Sequence, residues 1–261
     1  MSHPASAPLP TAAEVIALHD RLLALPGWPA DEPAPPDEGE LSGELGGGLG
    51  SGLGEFWRWL QTNHRFNCRL WAEEDLARRT TVGAAEIAAN KRAIDGFNQA
   101  RNDATERVDE ILLTALGLVD AASARSDAPL STVPLGARLN SETAGSIVDR
   151  MSIMALKVHA MRAQTARSDV DAAHVDSSRV KLERLLQQRA DLGACLEELL
   201  ADARAGRAYF KVYRQFKMYN DPRFNPALVA ERAQQAQLAP GLLALETPLP
   251  ASGGVGEARS R

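Results

Sequence analysis

The stretch EFWRWLQTNHRFNCRLWAEEDLARR, from Glu55 to Arg79, contains neither glycine nor proline, and its Trp57, Leu60 and Trp71 stand three and eleven residues apart. That spacing lines them up on one stripe of an α-helix and fits no β-strand, whose side-chain repeat is two. A helix of about six or seven turns is predicted. An amphipathic helix of that length must be covered by further elements, and the rest of the chain offers helices. Residues 11 to 25 read as a short amphipathic helix ending before Pro26. A second long helix is expected from about Gly83 to Leu118, carried by Ile87, Ile94, Phe97, Val108 and Ile111 at helical spacing, until a Ser/Pro/Gly-rich stretch at 121 to 139 breaks the pattern. Ser141 and Glu142 open a third helix running to about Ala166, and Asp169 or Asp171 could cap a fourth reaching about Ala205. After Gly206 the segment AYFKVYRQFKMYNDPRFNP is expected to continue as helix until Asn220-Asp221-Pro222 stops it. No alternating strand pattern of useful length is visible. The expected fold is therefore all-α: an antiparallel bundle of about four long helices with short additional helices. Three regions are expected: a short helix plus a flexible, acidic, Pro/Gly-rich linker over 1–54, the bundle over 55–236, and a disordered tail over 237–261.

Composition enters where it excludes functions. With 34 acidic against 29 basic residues the net charge is -5, which gives no general attraction to nucleic acid or anionic membranes. No run approaches the roughly 20 apolar residues that span a bilayer, and the first residues lack a basic start followed by an apolar core, so no membrane insertion and a cytoplasmic location are expected. Cys68 and Cys195 show no CxxC spacing, so neither a disulfide framework nor a structural zinc site is suggested.

The informative residues are polar ones on faces that should be buried. On the first long helix His64, Asn67, Trp71, Glu74 and Arg78 share an arc of about 80° with Trp57 and Leu60. A stripe holding two tryptophans and a leucine draws its charged members inward, as ligand-facing groups or as an internal Glu74–Arg78 pair with a satisfied histidine. The second helix aligns Arg92, Asp95, Gln99, Asn102, Glu106 and Asp109. Weak helix formers such as Asn98, Asn102, Asp95 and Asp103 suggest residues placed for hydrogen bonding, while a solvated face is the plainer alternative. On the third, Glu142, Ser146, Asp149 and Lys157 share an arc with Ile153 and Leu156, beside a separate apolar face of Ile147, Met151, Met154 and Val158. The last segment interleaves Tyr209, Tyr213 and Tyr219 with Lys211, Arg214 and Lys217, which would close the bundle by packing the rings while the bases stay in water.

Read as text, four blocks stand out: HxxNxxLWxEEDLAR (His64 to Arg78), KRxIDxxNQxRNDxxExxD (Lys91 to Asp109), NSETxGSxxDRMSIMxLK (Asn140 to Lys157) and FKVYRQFKMYNDP (Phe210 to Pro222). Together they resemble the bacterial domain-of-unknown-function 4254 family over about residues 60 to 226. The resemblance implies a setting near glycosyltransferases of envelope-polysaccharide synthesis and no assigned activity.

Two functions fit these residues. The first is an enzyme acting on a phosphorylated small molecule, a nucleotide or activated sugar. His64, Glu74, Asp149 and Lys157 would then be its catalytic candidates, and Asn67, Arg78, Arg92, Asp95, Asn98, Gln99, Asn102 and Arg150 its ligand-binding ones, with Mg²⁺ a candidate cofactor held by Glu106 and Asp109. The second is a non-catalytic accessory protein of glycan assembly that binds a sugar, a phosphate or a glycosyltransferase partner through the same pocket. The chain contains no GxSxG elbow, P-loop or HExxH, and no GxGxxG followed by a strand pattern, which removes support for several common enzyme classes.

Overall fold

Residues 8–30, 54–215 and 221–243 are described by the structure, a computed structural model, with side chains to 236. The linker expected between Pro29 and Gly54 lies mostly outside them, as do residues 244–261 of the expected tail. Residues up to Arg214 form one compact unit and those from Gln215 a second.

The first unit begins with α1 (Ala12–Ala24), started by a capping box in which Thr11 and Glu14 satisfy each other's backbone N–H groups. It stops at Leu25 because the residue before a proline avoids helical geometry. The four long helices are α2 (Gly54–Ala77), α3 (Ala84–Ala115), α4 (Ala144–Thr165) and α5 (Ala172–Arg204). Thr143 caps α4 by accepting the Ser146 N–H, and Asp171 caps α5 by accepting the His174 N–H. Short connections over 78–83 and 166–171 fold these helices into two hairpins, α2 with α3 and α4 with α5. Their core holds Phe56, Trp57, Leu60, Val108, Leu112, Ile147, Met151 and Leu196. Among the described residues, no helix is long and apolar enough to cross a membrane.

Two expectations about organisation need correction. The sequence sets α1 apart with the linker, but α1 belongs to the bundle core, with Val15, Leu18 and Leu22 almost fully buried. Partners on α5 hold it there: Arg189 forms a two-pronged ion pair with Asp20 at 2.9 and 2.8 Å and also donates to the Ile16 carbonyl, while Glu197 accepts the Ala12 N–H. The segment after Gly206 is not helical in its described part. Gly206 adopts a φ of 70° and ends α5 with the paired C-terminal bonds from Gly206 N–H to Ala203 and from Arg207 N–H to Asp202. The chain then extends as β2 (Ala208–Tyr209), parallel to β1 (Arg138–Leu139). Ala208 and Phe210 are buried and Val212 packs on the core, whereas Tyr213 is exposed, a repeat of two. Arg214, expected to be wet, is instead held by Glu106 and Glu110 at 2.8 and 2.6 Å and by the Ala124 and Ser126 carbonyls.

The second unit contains α6 (Pro226–Leu243), with proline at its first position and Asn225 accepting the Ala227 N–H. The unit boundary after Arg214 thus cuts the expected 55–236 bundle short, and helix continues seven residues into the region expected to be disordered from 237.

Candidate functional site

The row on α2 keeps to one face but passes from core to surface along its length. Trp57, Leu60, His64 and Asn67 are buried, whereas Trp71 is 37% exposed. The Glu74 and Arg78 side chains pair at 2.9 Å over one turn and stand largely in water.

The inner half is a polar network inside the bundle. His64 Nδ1 lies 2.8 Å from Ser152 Oγ on α4. Its ring contacts that of His19 on α1 at 4.5 Å between centroids and stacks on Trp28 at 5.8 Å. Trp28 donates its indole N–H to Cys68 Sγ at 3.2 Å, and that sulfur is 3.8 Å from His64 Nε2. Burial keeps both imidazoles neutral: it pushes His64 down to about 3 against the opposing pull of Asp20, and His19 well below the ordinary value with His64 and Arg189 adding to the effect. Burial also pushes the Cys68 thiol up to about 11, so it is unreactive. Neither ring nitrogen of His19 has a partner among the described residues.

Asp149 on α4 joins this interior to α3. Its Oδ1 accepts from Asn63 at 2.9 Å and Asn67 at 2.8 Å, and its Oδ2 accepts from Arg101 Nη1 at 2.9 Å. Asn67 is also 3.0 Å from Ser152 Oγ and 3.2 Å from Asn63 Oδ1, and Asn63 is 3.1 Å from Thr105 Oγ1. Arg101 Nη2 donates to Asn98 Oδ1 at 3.3 Å. The guanidinium is therefore aimed by two helices; its Nε is buried without a partner among the described residues, and the donors that remain are on Nη1 and Nη2.

Above Arg101 a cleft of about 340 Å³ opens between α2, α3 and α4. Asn67, Trp71, Glu74 and Asp75 line it from α2, Arg78 from the turn just after α2, Asn98 and Arg101 from α3, and Leu70, Ile153 and Leu156 supply carbon. It combines two guanidinium groups, two carboxylates, two amides and an indole, the chemistry that recognises a polar ligand with a planar or hydroxylated face.

The residues singled out from sequence divide by place. Asn67, Glu74, Arg78 and Asn98 line this cleft, and Asp149 supports its floor through Arg101. His64 is buried behind it, bonded to Ser152. Lys157 lines a separate basin. Asp95 pairs with Lys91 on the surface, Arg92 and Gln99 are exposed, and Arg150 pairs with Glu142 away from the cleft. Asn102 is buried without lining it. A single cavity collecting His64, Asp95, Asn102, Asp149 and Lys157 is not formed.

Glu106 and Asp109 are both engaged by the protein. Glu106 meets Arg214, and Asp109 accepts the Gly145 N–H at 2.6 Å at the start of α4. A Cβ on Gly145 would fall 2.5 Å from the Thr105 carbonyl, so only glycine admits this crossing of α3 and α4. Burial raises the Asp109 carboxyl to about 7, against hydrogen bonds from Thr143 and Gly145 that favour its charge. Among the described residues no three His, Cys, Asp or Glu side chains are grouped to hold a metal ion.

Sequence reasoning missed Arg101 and Ser152, although both sit inside the quoted blocks, and Asn63, one turn before Asn67. Arg101 had a signal: at 100° per residue it falls between Ile94 and Val108 on the apolar stripe of that helix, where a charged side chain needs a partner. His19 and Trp28 had none, because they belong to a region assigned outside the bundle.

Residues 57–212 match the family model described as "Protein of unknown function (DUF4254)". No curated protein matches the chain, and no solved structure does.

Proposed function

The chain belongs to the DUF4254 family of proteins of unknown function, and from the geometry of its cleft we propose that it binds a phosphorylated small molecule carrying a sugar or a base. The observation that carries this reading is Arg101, oriented by Asp149 and Asn98 at the floor of a cleft whose wall is the half-exposed Trp71. A planar guanidinium fixed in this way suits bidentate contact with phosphate, with Arg78 as a second cation. The Trp71 ring suits stacking against a base or the carbon face of a sugar. Asn67, Asn98, Glu74 and Asp75 are placed for hydroxyl groups. In the setting the family resemblance suggests, cytosolic envelope-polysaccharide assembly, the ligand is a sugar phosphate or nucleotide sugar and a glycosyltransferase is the partner.

Binding is favoured over chemistry because the strongest acid–base candidates are out of reach. His64 is buried and held neutral, and both oxygens of Asp149 are occupied. Turnover, with or without Mg²⁺, would fall to Glu74 and Asp75 on the cleft wall. A panel of glucose 1-phosphate, UDP-glucose and AMP, with and without Mg²⁺, tests the reading by thermal melting and calorimetry. At least one should raise the Tm, and Arg101→Lys, which keeps the charge beside Asp149 but loses the fork, should weaken its binding about tenfold or more. No shift with any of them at millimolar concentration would sink the proposal.

A further inference from the structure

Trp71 is a wall of two basins. Besides the cleft already described, a basin of about 270 Å³ is lined by Trp71, Lys157, Ala160, Met161, Gln164 and Leu185. The α4 residues shared out between the two, Ile153 and Leu156 in the first and Lys157, Ala160, Met161 and Gln164 in the second, fall within an arc of about 140° on one helix. The two basins therefore neighbour one another along one side of α4, with the Trp71 indole as their shared wall.

Their chemistry differs. The first presents Arg78, Arg101, Glu74, Asp75 and two amides. The second presents Ala160, Met161 and Leu185 with the carbon stem of Lys157, whose exposed ammonium can stay in water, and Gln164 is its only uncharged polar member. Methionine and alanine beside an indole make an adaptable apolar surface.

We propose that the ligand spans both basins: a phosphorylated amphiphile with its phosphate on Arg101 and Arg78 and its alkyl or isoprenoid chain running past Trp71 along α4. The phosphate half rests on the function proposed above, while the chain half rests on the shared Trp71 wall, the common side of α4 and the change from charged to apolar lining between the two basins. Lys157 then adds positive charge beside the chain's path, and Trp71 packs against the first carbons after the phosphate.

Calorimetry on the full chain compares methyl phosphate, glucose 1-phosphate and octyl phosphate, the last below its micelle-forming concentration. Octyl phosphate should bind at least tenfold more tightly than methyl phosphate, since each buried methylene adds to affinity. Ala160→Phe fills the second basin and should abolish that advantage while leaving glucose 1-phosphate binding unchanged. Leu185→Asp, on the opposite helix, should do the same and covers the case in which the larger ring disturbs folding. Equal affinity for methyl and octyl phosphate overturns the chain-binding inference and leaves the phosphate cleft standing. An octyl advantage that survives both variants also overturns it. Failure of all three compounds to bind overturns this inference, and the cleft reading falls with it when UDP-glucose and AMP also fail to bind.

Discussion

The two halves of the polar row on α2 have the same spacing, the same helix and opposite fates. His64 and Asn67 lie under α1 and α4, in contact with His19, Trp28 and Ser152, and Asn63, Asn67, Asp149 and Ser152 partner one another there, although the His19 ring nitrogens find no partner among the described residues. One, two and three turns further on, Trp71, Glu74 and Arg78 have no such cover and become the wall of an open cleft. Polar groups sealed inside a bundle are constrained to satisfy one another, because an orphaned one costs about 1–3 kcal/mol. Polar groups at a rim keep donors and acceptors for something else. The inner half therefore specifies the fold and the outer half is available for function, with Asp149 and Arg101 the link between them.

The contrast is broken most directly at Asp149. Asp149→Ala leaves Arg101 without its anion and takes an acceptor from both Asn63 and Asn67, and should cost about 3 kcal/mol in chemical denaturation. A loss no larger than that of a rim substitution would erase the distinction between the halves.

Acid provides the next largest effect. His19 and His64 have folded values below the unfolded imidazole value, so their contribution is complete above about 6.5 and is lost as the pH falls, for His64 toward about 3. Stability should decline by on the order of a few kcal/mol over that window, and His64→Phe should flatten the decline. Asp109 acts with the opposite sign: its raised value gives stability that is complete below about 4 and lost as the pH rises through about 7. Asp109→Asn, able to keep the Gly145 hydrogen bond, should remove that loss in denaturation curves measured between pH 5 and pH 8.

The smallest effect belongs to the rim. Glu74→Ala or Arg78→Ala breaks a pair whose side chains are largely exposed, and should change unfolding free energy by less than about 1 kcal/mol while weakening ligand binding. A large destabilisation at either position would mean that the rim is architecture.

Much of the fold was legible because helices are local objects. The Gly/Pro-free run, the apolar spacing and the cap at Asp171 each act within a few residues, and the four long helices fall within a few residues of where they are expected. The strand at Ala208–Tyr209 was harder, since its alternation covers only a few residues and its partner lies about seventy positions earlier at Arg138–Leu139. Among the candidate residues, Asn67, Glu74 and Arg78 were picked from their helix face and Asn98 as a weak helix former, and these four line the cleft, whereas Arg92, Gln99 and Arg150 had equally suitable residue types and point to water.

By itself the sequence determined which residues share a helix face, because that depends only on the 3.6-residue turn. Tertiary structure decided how deep each lies, because depth depends on what packs on top. For His64 the covering element is α1, brought there by Arg189 and Glu197 from the far side of the chain, and no local pattern around His64 encodes its arrival.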